Sequence, residues 1–116
     1  MGHEHHHHGA DHDAPIACSL GVFSPEEKRR YQALVKKLAG AIVSRRELDR
    51  GYAIKVAGAK IGIAEAGEWM LLEGKCCPFL ELTLEPEGFD FWINLAGREG
   101  VKDFLKQEFK FDSPVL

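Results

Sequence analysis

Residues 74–97, GKCCPFLELTLEPEGFDFWINLAG, contain a predicted helix end, two adjacent cysteines and two predicted strands. Pro78 cannot continue a helix, so the helix before it is expected to end at this point. Leucine alternates with polar residues over 80–85, which predicts a strand with one buried face. After a turn at 86–88, apolar residues alternate again over 89–95. The two strands are therefore expected to pair as a hairpin.

The rest of the chain predicts three helices and one further strand. Residues 24–27, Ser-Pro-Glu-Glu, are typical of a capped helix start. Apolar residues then recur every three or four positions as far as Val43, which predicts an amphipathic helix of about five turns. A strand is predicted over 52–56, a second helix over 60–76 and a last helix from 101 to 108.

The predicted order of elements is α-β-α-β-β-α, which is typical of an α+β domain. Its two layers would be a set of helices packed on a three-stranded, mostly antiparallel sheet. This single domain is predicted to cover residues 16–108. Residues 1–15 are predicted to be a disordered His-rich tail, and residues 109–116 a C-terminal tail.

Charge and composition exclude several classes of function. Three acidic residues lie in residues 1–13, so the remaining chain holds 15 acidic and 15 basic side chains. This balance gives no reason to expect binding to nucleic acid or an anionic membrane. No stretch reaches the roughly 18 apolar residues of a membrane span. Three cysteines are too few for a paired disulfide framework, so a cytoplasmic protein with reduced thiols is expected.

The adjacent cysteines Cys76 and Cys77 are the most informative residues for function. A disulfide between adjacent cysteines would strain the peptide bond that joins them, so free thiols are expected. Both lie at a predicted helix C-terminus, where the helix dipole opposes thiolate formation. All six histidines precede the predicted domain, so a papain-like cysteine hydrolase is not expected.

Binding of a soft ion fits these thiols better. Cu(I), Hg(II), Cd(II) or trivalent arsenic would displace the thiol protons at Cys76 and Cys77. Zn(II) is a less natural ion here, because a closed structural zinc site needs four ligands. Cys18 would supply a third sulfur if the fold brings it near, and Glu73 is a candidate ligand because it projects on nearly the same helical face. No organic cofactor is expected. Inert packing of buried cysteines is the alternative interpretation.

The His-rich tail adds a second set of candidate metal ligands. Imidazoles bind Cu(II), Ni(II) or Zn(II), so a native tail would capture such ions loosely. An affinity tag is the other interpretation, although Glu4 interrupts the run and composition does not distinguish the two. The candidate ligands in the tail are His3, His5, His6, His7, His8 and His12.

Two further functions remain open from the sequence. In a thiol redox or transfer enzyme, Cys18 would attack or resolve an oxidised Cys76 or Cys77. In a protein-interaction module, the cysteines would be structural. A second copy of the chain or another protein would then bind at Trp92. Alternation along the strand directs Trp92 to the outer face of the sheet, whereas Phe89 and its alternating neighbours are expected to point inward.

Three segments of the chain, 17–20, 73–80 and 95–105, resemble a group of small, functionally uncharacterised bacterial proteins with a Cys-Cys-Pro-Phe motif. The resemblance covers residues 16–108 and leaves out the His-rich tail. That group is loosely associated with heavy-metal response, so the resemblance implies a thiol–metal role. It also implies that Cys18 and Glu73 act together with the adjacent cysteines.

Overall fold

The computed structural model of the chain describes residues 14–109. The described residues contain four strands, Ile42–Leu48 (β1), Gly51–Val56 (β2), Glu81–Glu87 (β3) and Asp90–Ala96 (β4). They form one antiparallel sheet in the order β1-β2-β4-β3, which confirms the α+β class. Predictions for the six histidines and for the tails at 1–13 and 110–116 lie outside the described residues. In chain order the elements are a 3-10 turn Leu20–Val22, α1 Pro25–Ala39, β1 Ile42–Leu48, β2 Gly51–Val56, α2 Ile63–Cys76, β3 Glu81–Glu87, β4 Asp90–Ala96 and α3 Val101–Glu108.

The prediction of three strands is wrong, because β1 forms a fourth strand between α1 and β2. Helix α1 ends at Ala39, whereas the apolar pattern predicted that it would continue to Val43. Gly40 caps the helix, and the chain then turns into β1 at Ile42. The pattern misleads because Ile42 and Val43 keep helical spacing. The rest of β1 is mostly polar, as suits a strand at the edge of a sheet.

The predicted start of α1 is confirmed in detail. The Ser24 hydroxyl accepts a hydrogen bond from the Glu27 backbone N–H at 3.1 Å. In return, Glu27 Oε1 accepts one from the Ser24 N–H at 2.9 Å. Pro25 takes the first helical position, where its missing N–H costs nothing. Such a cap is worth about 1 kcal/mol.

The predicted hairpin forms, but its turn lies further along the chain. Strand β3 continues to Glu87, so Gly88 and Phe89 make the turn, with Gly88 at a φ of 65°. The expectation that Phe89 points inward is wrong, because its side chain is 98% exposed at the tip of the hairpin. Phe91 and Ile93 are buried, as predicted.

The core lies between the three helices and one face of the sheet. Strand β4 crosses its centre, with Ile93 opposite Ile54 of β2 and Leu84 of β3. Leu34 of α1, Trp69 of α2 and other buried helix residues pack onto this face. In residues 14–109, none of the helices is long and apolar enough to cross a bilayer.

The other face of the sheet carries charged side chains around Trp92, which lies on this face as predicted. The Arg46 guanidinium lies 4.3 Å from the Trp92 ring centroid and 3.6 Å from Glu85. The indole N–H of Trp92 donates to Glu87, which also pairs with Lys55 at 3.4 Å. We call these five residues the outer-face cluster. These five side chains pair with one another across the outer face of the sheet.

Candidate thiol and metal site

The junction between α2 and β3 fixes the adjacent cysteines in the core. Cys76 is the last residue of α2, and Cys77 caps it by donating its N–H to the Glu73 carbonyl at 2.7 Å. The Cys77 carbonyl accepts from the Leu80 N–H at 3.0 Å, which turns the chain toward β3. Both cysteine side chains are fully buried. Pro78 stands in this turn, so the predicted helix end is confirmed.

The segment before the 3-10 turn brings Cys18 to this junction. The Ser19 N–H donates to the Cys76 carbonyl at 3.0 Å. Further back, the Ala14 carbonyl accepts from Arg98, and Ile16 packs against the core beside Gly100. These contacts do not involve sulfur, so the segment is attached to the core by more than the side chain of Cys18.

The three sulfur atoms form a compact group. Their Sγ atoms all lie within 4.8 Å of one another, and those of Cys76 and Cys77 are 3.7 Å apart. Cys18 is the exposed member of the group, whereas the other two are buried. We call these three residues the thiol cluster. The fold therefore brings Cys18 near Cys76 and Cys77, which was the condition for a third sulfur ligand.

A disulfide joins Cys18 to Cys77. The expectation of three reduced thiols is therefore wrong for these two residues, and Cys76 is the free thiol. The adjacent cysteines are not bonded to each other, as expected. The pairing was not predictable because the two residues are 59 positions apart, while their Cα atoms lie only 4.8 Å apart in the fold.

Glu73 contacts the thiol cluster from one turn before the end of α2. Its carboxyl is fully buried, and Oε2 lies 3.3 Å from Cys77 Sγ. In the disulfide this sulfur carries no hydrogen, so a hydrogen bond to Oε2 requires the reduced thiol. The predicted proximity of Glu73 to the cysteines is thus present, through Cys77.

Tyr31 of α1 is the partner of Glu73 that the sequence did not reveal. Its hydroxyl donates a hydrogen bond to Glu73 Oε1 at 2.7 Å, and the centroid of its ring lies 5.1 Å from the ring centroid of Phe23. In the sequence, Tyr31 is one of the apolar residues that recur as a stripe along the first helix, and this pattern names no partner for its hydroxyl. A tyrosine in such a stripe usually needs a partner for its hydroxyl, and this was the available signal.

Burial sets the protonation of these groups. It raises the pKa of Glu73 to about 7, although the hydrogen bond from Tyr31 acts in the opposite direction. The pKa of Tyr31 is raised by burial and by the neighbouring carboxylate. Burial also raises the pKa of Cys76, despite a backbone hydrogen bond from Ser19. The Cys76 thiol is therefore neutral at pH 7, and only a strong Lewis acid would displace its proton.

No family model matches the chain, and no curated protein or solved structure proved similar to it. The resemblance to the Cys-Cys-Pro-Phe group stays a prediction.

Proposed function

We propose that the reduced protein binds a thiophilic metal or metalloid ion through Cys18, Cys76 and Cys77, as a buffer, chaperone or resistance protein. The observation that carries this proposal is the convergence of three sulfur atoms within 4.8 Å of one another. Soft ions select such sulfur sets over oxygen and nitrogen ligands. The predicted association with heavy-metal response points the same way.

The spacing of the sulfurs suits an ion with three sulfur ligands. With metal–sulfur bonds of about 2.3 Å, sulfurs in a plane around an ion lie about 4 Å apart. The Sγ atoms of Cys76 and Cys77, at 3.7 Å, are already close to this spacing. After reduction breaks the bond between Cys18 and Cys77, the Cys18 sulfur needs to move away from that of Cys77 only until these two sulfurs are also about 4 Å apart.

The disulfide makes ion binding depend on reduction. Cys18 and Cys77 cannot ligate while they are bonded to each other, and one remaining thiol is a weak site. A cytoplasmic location, where cellular thiols keep cysteines reduced, would maintain the binding form. The backbone hydrogen bond from Ser19 to Cys76 would then keep the three thiols together.

A titration with matched variants tests the proposal. Protein reduced with a phosphine is titrated separately with Cd(II), Hg(II) and Cu(I), while the sulfur-to-metal absorbance is followed. We expect a band that saturates at one ion per chain and disappears in Cys76→Ser/Cys77→Ser. Arg46→Met, in the outer-face cluster, is the control and should keep the band. The absence of a band, or an unchanged band in the double variant, would overturn the proposal.

The disulfide favours thiol–disulfide exchange as a second candidate function. An external thiolate would attack the exposed Cys18, form a bond to its sulfur and expel Cys77 as the leaving thiolate. A second external thiol would then release Cys18. Two external thiols are oxidised to a disulfide, and the protein disulfide is reduced to two thiols.

Glutathione distinguishes this exchange from inert structural bonding. Oxidised protein is incubated with reduced glutathione, quenched with acid and mapped by mass spectrometry. The mixed disulfide is expected on Cys18, because Cys77 is buried. A mixed disulfide on Cys77, or a protein disulfide that excess glutathione leaves intact, would contradict the second function.

A further inference from the structure

The thiol cluster offers sulfur ligands without positive charge. The described contacts of the Cys76 and Cys77 sulfurs are with each other, with Cys18, with Glu73 and with the Ser19 backbone. None of these partners is a cation, and one is a carboxyl group. Lys75 is adjacent in sequence, but its ammonium pairs with Glu27 of α1 at 2.9 Å. Among residues 14–109, the contacts of these sulfurs therefore include no cation that would compensate an anionic complex.

The charge of the complex differs between soft ions. Three thiolates around Cu(I) leave two excess negative charges, and three around Hg(II) or Cd(II) leave one. Three thiolates around trivalent arsenic leave none. Burying an uncompensated charge is costly, and two of the three sulfurs are fully buried. A neutral complex is thus the one that suits these surroundings.

We propose that the preferred ligand of the thiol cluster is trivalent arsenic, bound as a neutral tris-thiolate of Cys18, Cys76 and Cys77. This inference rests on the proposed function, because it assigns a ligand class to the same three sulfurs. Three thiolates are the full complement of a trivalent arsenic centre, so the cluster needs no fourth ligand from Glu73 or from the tail.

The binding reaction is balanced without an oxidant or a separate base. Arsenous acid, As(OH)₃, is neutral near pH 7 and carries three hydroxyl groups. Each thiol forms one arsenic–sulfur bond, and its proton leaves with one hydroxyl as water. Three waters are released, and arsenic remains trivalent. The exposed Cys18 can form the first bond, after which the two buried thiols replace the remaining hydroxyls.

The test compares arsenite with Cd(II) on the same full-length reduced protein. A phosphine is the reductant, because dithiol reductants themselves bind arsenic. Binding is followed by sulfur charge-transfer absorbance, which does not report ions held only by imidazoles, and by native mass spectrometry. We expect arsenite to bind one per chain, with loss of three protons from the protein, and at least about tenfold more tightly than Cd(II).

Cys18→Ser is the matched variant, since the exposed position tolerates the change without opening the core. Its arsenic adduct should keep one hydroxyl, and its affinity should fall by at least about tenfold. Sulfur-bound Cd(II) that is tighter than arsenite, or an arsenite adduct unaffected by Cys18→Ser, would overturn the inference and leave the proposed function standing. Absence of a sulfur band with either ion would overturn both.

Discussion

The thiol cluster and the outer-face cluster differ in the burial of their polar groups and in whether opposite charges neutralise them. On the outer face, charged groups are exposed and neutralise one another, as in the pair between Arg46 and Glu85. At the end of α2, sulfur and carboxyl groups are buried, with no cation among their described partners. Exposed ion pairs contribute little to the free energy of unfolding, so the stability of the fold depends only weakly on the outer-face cluster. The contribution of the buried groups to the free energy of unfolding is instead expected to depend strongly on oxidation, on pH or on a bound ligand. This difference locates the candidate function at the thiol cluster.

Breaking the disulfide should have the largest effect on stability. Closure of a loop between positions 59 apart lowers the entropy of the unfolded chain, which corresponds to roughly 4 kcal/mol in the loop-entropy model. Chemical denaturation of oxidised and reduced protein measures this loss in the free energy of unfolding. Cys18→Ser should lose about as much under oxidising conditions and show no further loss on reduction. Equal stability of the oxidised and reduced wild type would contradict the pairing of Cys18 with Cys77.

The buried carboxyl of Glu73 should make stability depend on pH. Because the folded state raises its pKa from 4.5 to about 7, the fold favours the protonated acid. The contribution is complete below pH 4.5 and is lost as the pH rises through 7. A shift of this size corresponds to about 3 kcal/mol in the free energy of unfolding.

Denaturation of the oxidised protein between pH 4.5 and 8 checks this sign against Glu73→Gln. The wild type should lose stability relative to the variant as the pH rises. The difference removes contributions from groups that both proteins share, including the tail histidines. Parallel pH profiles would show that Glu73 is not buried in the way the structure describes.

A substitution in the outer-face cluster should have the smallest effect. Arg46→Met keeps an aliphatic cover over Trp92 and removes the cation 4.3 Å from its ring. We expect a loss of about 0.5–1 kcal/mol in urea denaturation, since exposed cation–π contacts are worth about this much. Ion affinity should be unchanged. A tenfold change in that affinity would mean that the two clusters are coupled through the sheet.

Local sequence signals predicted the elements that depend on neighbours in the chain. The capping box at Ser24 and the helix end before Pro78 are both present. Strand β1 was missed because Ile42 and Val43 fit a helical spacing and most of the other residues in the strand are polar. The exposed Phe89 was misplaced because the turn lies further along the chain than predicted. Phe89 therefore belongs to the turn and not to β4, while the inward alternation of Phe91 and Ile93 is as predicted.

The candidate site was predictable only in part. Helical spacing predicted that Glu73 lies near the adjacent cysteines, on the same face as Cys76, and the contact observed in the fold is with Cys77. The approach of Cys18 and the hydrogen bond from Tyr31 both depend on tertiary packing between distant segments. No spacing rule encodes such contacts, so the disulfide and the partner of Glu73 became visible only in the fold.

X-ray absorption spectroscopy of the reduced protein with one equivalent of Cd(II) tests the central claim most directly. It counts the sulfur atoms bound to the ion and does not depend on which soft ion is preferred. We predict three sulfur neighbours at a single distance, reduced to two in Cys18→Ser. An ion surrounded by nitrogen and oxygen atoms, or by a single sulfur in the wild type, would contradict joint binding by Cys18, Cys76 and Cys77.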